Sequence, residues 1–122
     1  TPHDVMELIK NSEDNGCQVF IAAAGMAAHL AGAVAAHSSK PVIGIPIESG
    51  GMGGIDALLS TAMMPPGVPV ATVAVGKSGA KNSAILAVQI LATSDEDLSA
   101  KLREFKENMR KEVLEKDQKL NS

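Results

Sequence analysis

The sequence predicts an α/β domain: a parallel β-sheet with helices on both faces, followed by one long C-terminal helix. Three observations carry that prediction. Short apolar runs recur at residues 19–24, 41–47 and 68–75. None of them alternates polar with apolar residues, as is usual for parallel strands covered on both faces. The runs begin about 25 residues apart with helical patterns between them, the spacing of repeated β–α units joined by right-handed crossovers.

Taken in order, Thr1, Pro2 and Asp4 open a helix, with Thr1 as N-cap, Pro2 at the first helical position and an acid facing the helix dipole. Val5, Leu8 and Ile9 form its apolar stripe, and Asn15-Gly16 ends it. The stretch C-Q-V-F-I-A-A-A-G-M-A-A-H-L-A-G then reads as a buried strand over 19–24 that turns sharply at Gly25. A helix of small residues over 27–36 follows, carrying His29 in its first turns and closing at His37-Ser38-Ser39. The second strand spans 41–47, and its prolines, Pro41 and Pro46, suit strand boundaries. Glu48-Ser49-Gly50-Gly51-Met52-Gly53-Gly54 is a flexible loop; it lacks the Gly-Lys-Ser/Thr ending of a phosphate-binding P-loop. Ile55, Leu58 and Leu59 begin a helix that Met63-Met64-Pro65-Pro66-Gly67 ends, and the third strand spans 68–75.

Gly76-Lys77-Ser78-Gly79 has the wrong glycine spacing for nucleotide triphosphate binding. The helix over 80–92 is apolar nearly all round, which predicts burial and obliges Gln89 to find a partner. Ser94 with Asp97 reads as a capping box opening an amphipathic helix over 95–118. Its stripe is Leu98, Leu102, Phe105, Met109 and Val113, and its length carries it beyond the domain body.

Composition narrows the function classes. A chain of 122 residues makes one domain or part of one. With two Phe, no Tyr, no Trp and many Ala and Gly, the core depends on close helix–sheet packing. A net charge of −3 without a basic cluster argues against nucleic acid or an anionic membrane as partner. The single cysteine, Cys17, cannot form an internal disulfide and reads as a core thiol, which makes cytosolic placement the default. No apolar run reaches the roughly 18 residues of a membrane span, and no signal-peptide pattern is present. The chain opens on Thr1 and not on Met, which raises the expectation of a longer protein. A second observation supports it: the strand over 19–24 has no charge, bulge or internal proline to protect an open edge, so a neighbour is expected to cover it.

Ligands of open α/β sheets bind beyond the carboxyl ends of strands. The small residues after Gly25 let a ligand approach backbone N–H groups at a helix N-terminus, where anionic and polar atoms are favoured. His29 stands there, either as a reacting group or as a helix-start histidine bonded to a nearby carbonyl. His37 reads as a C-terminal cap favoured by the dipole, and His3 as a surface residue. A zinc site from Cys17, His29 and His37 lacks ligand spacing. Asp56 reads as a cap or dipole partner, with an acid role as the alternative. Ser49 either lines a pocket or makes a turn.

The segments G-M-A-A-H-L-A-G, P-V-I-G-I-P, G-G-I-D-A-L-L-S-T, M-P-P-G-V-P-V-A-T and A-K-N-S-A-I-L-A-V-Q-I-L resemble, in the same order, the phosphoribosylaminoimidazole carboxylase family of de novo purine synthesis. The resemblance runs from Thr1 to about residue 113. It implies a doubly wound, three-layer flavodoxin-like fold and a single domain over 1–122 that lacks the family's N-terminal strands. Those strands carry a Gly-Ser-x-Ser-Asp turn and a Ser-Ala-His-Arg segment directly before the Thr-Pro that opens this chain. It further implies a cytoplasmic homo-octamer acting on a phosphorylated aminoimidazole ribonucleotide without metal or cofactor.

The implied activity is a mutase that moves a carboxylate from an exocyclic nitrogen to a ring carbon through enclosed carbon dioxide. The alternatives are a carboxylase relative using carbon dioxide directly, or a catalytically silent chain that only assembles. His29 is the implied proton carrier, since histidine exchanges a proton near neutrality. Gly25, Met26, Ala27, Ala28, Leu30 and Ser49 are the implied substrate contacts. The small residues of 22–28 and the glycine flap would keep water out. Met26 stands where glycine is usual and is expected to narrow the pocket; Ala31 stands where proline is usual. Because the family's phosphate-holding residues are missing from the sequence, the 122-residue chain alone is expected to turn over little.

Overall fold

The computed structural model describes residues 1–122. Its elements are α1 (Pro2–Asp14), β1 (Phe20–Gly25), α2 (His29–His37), β2 (Val42–Ile47), α3 (Ile55–Ala62), β3 (Ala71–Thr72), α4 (Lys77–Ala92) and α5 (Glu96–Asn121). The chain divides into two compact units, Thr1–Ala87 and Val88–Ser122, with α4 running through the boundary.

In the first unit the three strands are parallel in the order β1-β2-β3, with Phe20 opposite Val42 and Ile43 opposite Ala71. Right-handed crossovers between successive neighbours put α2 and α3 on the same side of the sheet, where they touch. Side chains alternate across a strand. Ala22 and Val42 therefore face these helices and form a core with Ile9 of α1 and Ala31 and Val34 of α2; Val5, Phe20, Ala35 and Val70 pack around it. The small-residue composition explains how closely the layers meet. A Cβ on Gly44 would lie 2.4 Å from Thr61 Cγ2 of α3 and 3.2 Å from Ala31 Cβ of α2. This is an α/β domain with a three-stranded parallel sheet and a long terminal helix, consistent with a flavodoxin-like fold.

The other face of the sheet is unevenly covered. Ile43 is fully buried and Ile45 nearly so, yet Ile21, opposite Ile43 in register, is 46% exposed. Within residues 1–122, β1 pairs with β2 alone, which leaves its other edge open, and the exposure of Ile21 shows that its second face is not covered as the apolar run suggested.

Several boundaries depart from the sequence reading for identifiable reasons. β1 runs one residue later than expected, and α2 starts at His29 and not at residue 27. The delay comes from Met26 (φ 51°) and Ala28 (φ 40°), both left-handed, with the Ala28 N–H donating to Gly25 O at 2.9 Å. The third strand is reduced to Ala71–Thr72. Pro46 lies inside β2, not at its boundary, and its carbonyl accepts from Gly76 N at 2.9 Å, so the side facing β3 is the one that lacks an N–H donor. The ladder breaks there, although Val73 N still donates to Gly44 O at 3.1 Å.

α4 begins at Lys77, and only Gly79 and Ser83 are buried, so an apolar circumference has not produced a buried helix; Gln89 is exposed to solvent and needs no protein partner. Thr1 holds the N-cap position of α1 without a side-chain capping bond. In the second unit, Asp95 and not Ser94 caps α5, its carboxylate accepting from Leu98 N at 3.0 Å. At 26 residues α5 is about 39 Å long. None of its residues is buried, and Phe105, Met109 and Val113 are exposed along one stripe. No helix is long and apolar enough to cross a membrane.

Candidate functional site

The turns that follow β1, β2 and β3 meet at the carboxyl edge of the sheet, where parallel α/β domains bind ligands. β1 ends at Gly25, and the absence of a side chain there is structural: a Cβ would fall 2.0 Å from Ser49 Oγ and 3.2 Å from Ile47 O. The turn after β1 therefore lies directly against the loop after β2. One residue on, Met26 Cγ and Sδ lie 3.3 and 3.6 Å from where a Cβ on Gly50 would be. At the far end of the loop, the Val75 side chain after β3 fills the space beside Gly54. Gly50, Gly51, Gly53 and Gly54 all take positive φ, a shape that only glycine adopts without cost.

The structure thus brings Gly25, Met26, Ser49 and Gly50 together. Ala28 is buried beneath the turn, while Met26, Ala27, His29 and Leu30 are exposed and Ser49 is half-buried. His29 is the first residue of α2, where the backbone N–H groups lack helical partners. With Leu30, Ala33 and His37 it borders a cleft of about 290 Å³ whose other wall is Thr1, Pro2, Val5 and Met6 of α1. These four lining residues carry no signal in the sequence, because the approach of α1 to α2 is set by the core around Ile9. Enclosure is the expectation that the first unit does not meet: the turn opens to solvent, and the cleft beside His29 is a groove.

The remaining candidates are placed as follows. His37 donates from Nδ1 to Ala33 O at 2.9 Å, so His37, and not His29, is the histidine held by a carbonyl. Cys17 is half-buried, with its thiol on Val19 O at 3.3 Å. Cys17, His29 and His37 do not assemble into a ligand set. Asp56 lies in the first turn of α3 without capping it, and its Oδ1 is buried with no partner. Met64, in the turn after α3, packs on Gly32 of α2. Lys77 is exposed at the start of α4, and Gly79 behind it is pressed against Ala74 O, so Gly76–Gly79 begins a tightly packed helix and makes no phosphate cradle.

The parallel sheet and its flanking helices define an α/β domain, and the strand-end turn of small residues, the glycine flap against it and the histidine opening α2 make the carboxyl edge its candidate site. Residues 1–112 match the family model described as AIR carboxylase. The chain is 47% identical over 115 residues to the N5-carboxyaminoimidazole ribonucleotide mutase of Escherichia coli (strain K12), covering 94% of this chain and 68% of that protein. It is 48% identical over 120 residues to the mutase of Bacillus subtilis (strain 168), covering 98% and 74%. With the mutase of Saccharolobus solfataricus it shares 52% identity over 114 residues, covering 93% and 71%. The chain belongs to the AIR carboxylase family.

Proposed function

We infer that the protein acts as a mutase of de novo purine synthesis, converting N5-carboxyaminoimidazole ribonucleotide into its ring-carboxylated isomer. The observation that carries this reading is the 47–52% identity, over 93–98% of the chain, to proteins bearing that one name. The isomerisation breaks a bond between the exocyclic nitrogen and the carboxyl carbon and makes one from the ring carbon to the same carboxyl carbon. In balance, one proton leaves the ring carbon and one arrives on the nitrogen, so a single group that accepts and then donates can serve both ends.

His29 is that group on this reading. Its exposed ring at the start of α2, beside an apolar groove, supports the assignment. Gly25, Met26, Ala27, Ala28, Leu30 and Ser49 form the substrate contacts, with the small turn letting the migrating carboxylate approach backbone donors at the helix N-terminus. The protein works in the cytoplasm as a homo-oligomer, an octamer in the arrangement that the resemblance implies, and the exposed stripe of α5 is available to subunit packing.

The test is turnover of the carbamate isomer by the purified protein with the family's N-terminal segment restored, followed as appearance of the ring-carboxylated product. His29→Asn is expected to lower the rate at least tenfold, about 1.4 kcal/mol of barrier or more, while circular dichroism stays unchanged. Undiminished turnover in that variant removes His29 from the proton-transfer role.

A further inference from the structure

We propose that Met26 is a positioning residue, whose side chain clamps the glycine flap over 48–54 onto the turn that leads to His29. The proposal rests on the mutase reading for its kinetic part and on geometry alone for the clamp.

The flap has little of its own to hold it. Four of its residues are glycines at positive φ, and its one large apolar side chain, Met52, is 60% exposed. Its ends are fixed: Ser49 abuts Gly25, and Gly54 abuts Val75. Between those ends, Met26 Cγ and Sδ lie over Gly50. On the side to which a Cβ of Gly50 would project, Met26 is the only group within 4 Å apart from Gly50's own chain neighbours.

Met26 makes this contact from an unfavourable backbone. At φ 51° it occupies a region that disfavours any residue with a Cβ and that glycine enters freely. The side chain is also 61% exposed, so core packing does not explain its presence. Strain concentrated at a turn beside a candidate site points to a role for the side chain that requires it. Methionine suits that role because it is long, unbranched and polarisable, and it moulds to a moving backbone. With the flap held down, less ordering is left for the substrate to bring about on binding, so the contact acts on affinity more than on the chemical step.

The experiment compares the wild type with Met26→Gly and Met26→Leu by hydrogen–deuterium exchange over residues 48–54, by thermal denaturation, and by steady-state kinetics on the carbamate isomer. Met26→Gly is expected to raise exchange at 50–54 by about fivefold and KM by about fivefold, which is about 1 kcal/mol. Tm should not fall, because glycine relieves the left-handed backbone. Met26→Leu is expected to restore both exchange and KM to near wild type. The clamp is overturned if exchange is the same in Met26→Gly as in wild type, if leucine fails to rescue, or if Tm falls in step with KM. Absence of turnover in a wild type that carries the family's N-terminal segment would refute the mutase reading, and the exchange comparison would still decide the clamp.

Discussion

Replacing Gly25 by alanine tests the contact on which the candidate site is built. Gly25 is not among the left-handed glycines, so alanine can adopt its backbone and any cost is steric. The new methyl would lie 2.0 Å from Ser49 Oγ, 3.1 Å from Ser49 Cβ and 3.2 Å from Ile47 O. The hydroxyl can rotate away, but Ser49 Cβ and the Ile47 carbonyl can retreat only if the end of β2 moves. Overpacking of this kind costs about 1–3 kcal/mol, and the loss of glycine's freedom in the unfolded chain offsets about 0.4–1 kcal/mol of it.

The net loss of about 1–2 kcal/mol corresponds to a Tm lower by roughly 3–10 °C for a domain of this size. Ser49→Gly removes both Ser49 atoms and should rescue Gly25→Ala. The double-mutant cycle, read by urea denaturation at constant m, is expected to show coupling of about 1 kcal/mol or more. Coupling below about 0.5 kcal/mol, the usual tolerance for independent sites, would mean that the turn and the flap do not touch.

Two further outcomes follow from the packing. Gly44→Ala sets a methyl 2.4 Å from Thr61 Cγ2, 2.8 Å from Val70 Cγ1 and 3.2 Å from Ala31 Cβ, with no open side. A loss near the upper end of the overpacking range, about 3 kcal/mol, is expected in urea denaturation, and Thr61→Ser should return part of it. Asp95→Ala removes the acceptor for Leu98 N and should cost about 1 kcal/mol of α5 stability, seen as faster exchange at the Leu98 amide, whereas Asp95→Ser should keep most of it.

What the sequence disclosed and what it hid divide along physical lines. β1 and β2 were legible because an unbroken apolar run of that length, rich in β-branched residues and bounded by turn residues, fits a buried strand better than a helix. The carboxyl end of β3 was overestimated because its pairing depends on a residue in another strand: Pro46 withholds the donor, and nothing within 73–75 records that loss. The N-cap of α5 was misplaced by one residue because Ser94 and Asp95 are both good caps and only backbone geometry chooses between them. The family resemblance was visible in five ordered segments. The α1 wall of the His29 groove was not, since contacts between elements distant in sequence leave no periodicity behind.

The turn between β1 and α2 is the most instructive failure, because glycine is the usual written sign of a left-handed backbone and this chain puts methionine and alanine there. The two-residue delay has a chemical consequence. Had α2 begun at residue 27, His29 would stand third in the helix. Beginning at His29, the helix instead places the imidazole at its very tip, at the carboxyl edge of the sheet, beside N–H groups without helical partners. The strain that misleads the sequence reading is thus the same feature that delivers the histidine to the edge, and it predicts where tolerance will be low. Ala28 is 5% exposed at φ 40°, so Ala28→Gly should fold while Ala28→Val, adding both bulk and a β-branch to a left-handed buried position, should not. A stable Ala28→Val protein would show that the turn is not constrained in this way.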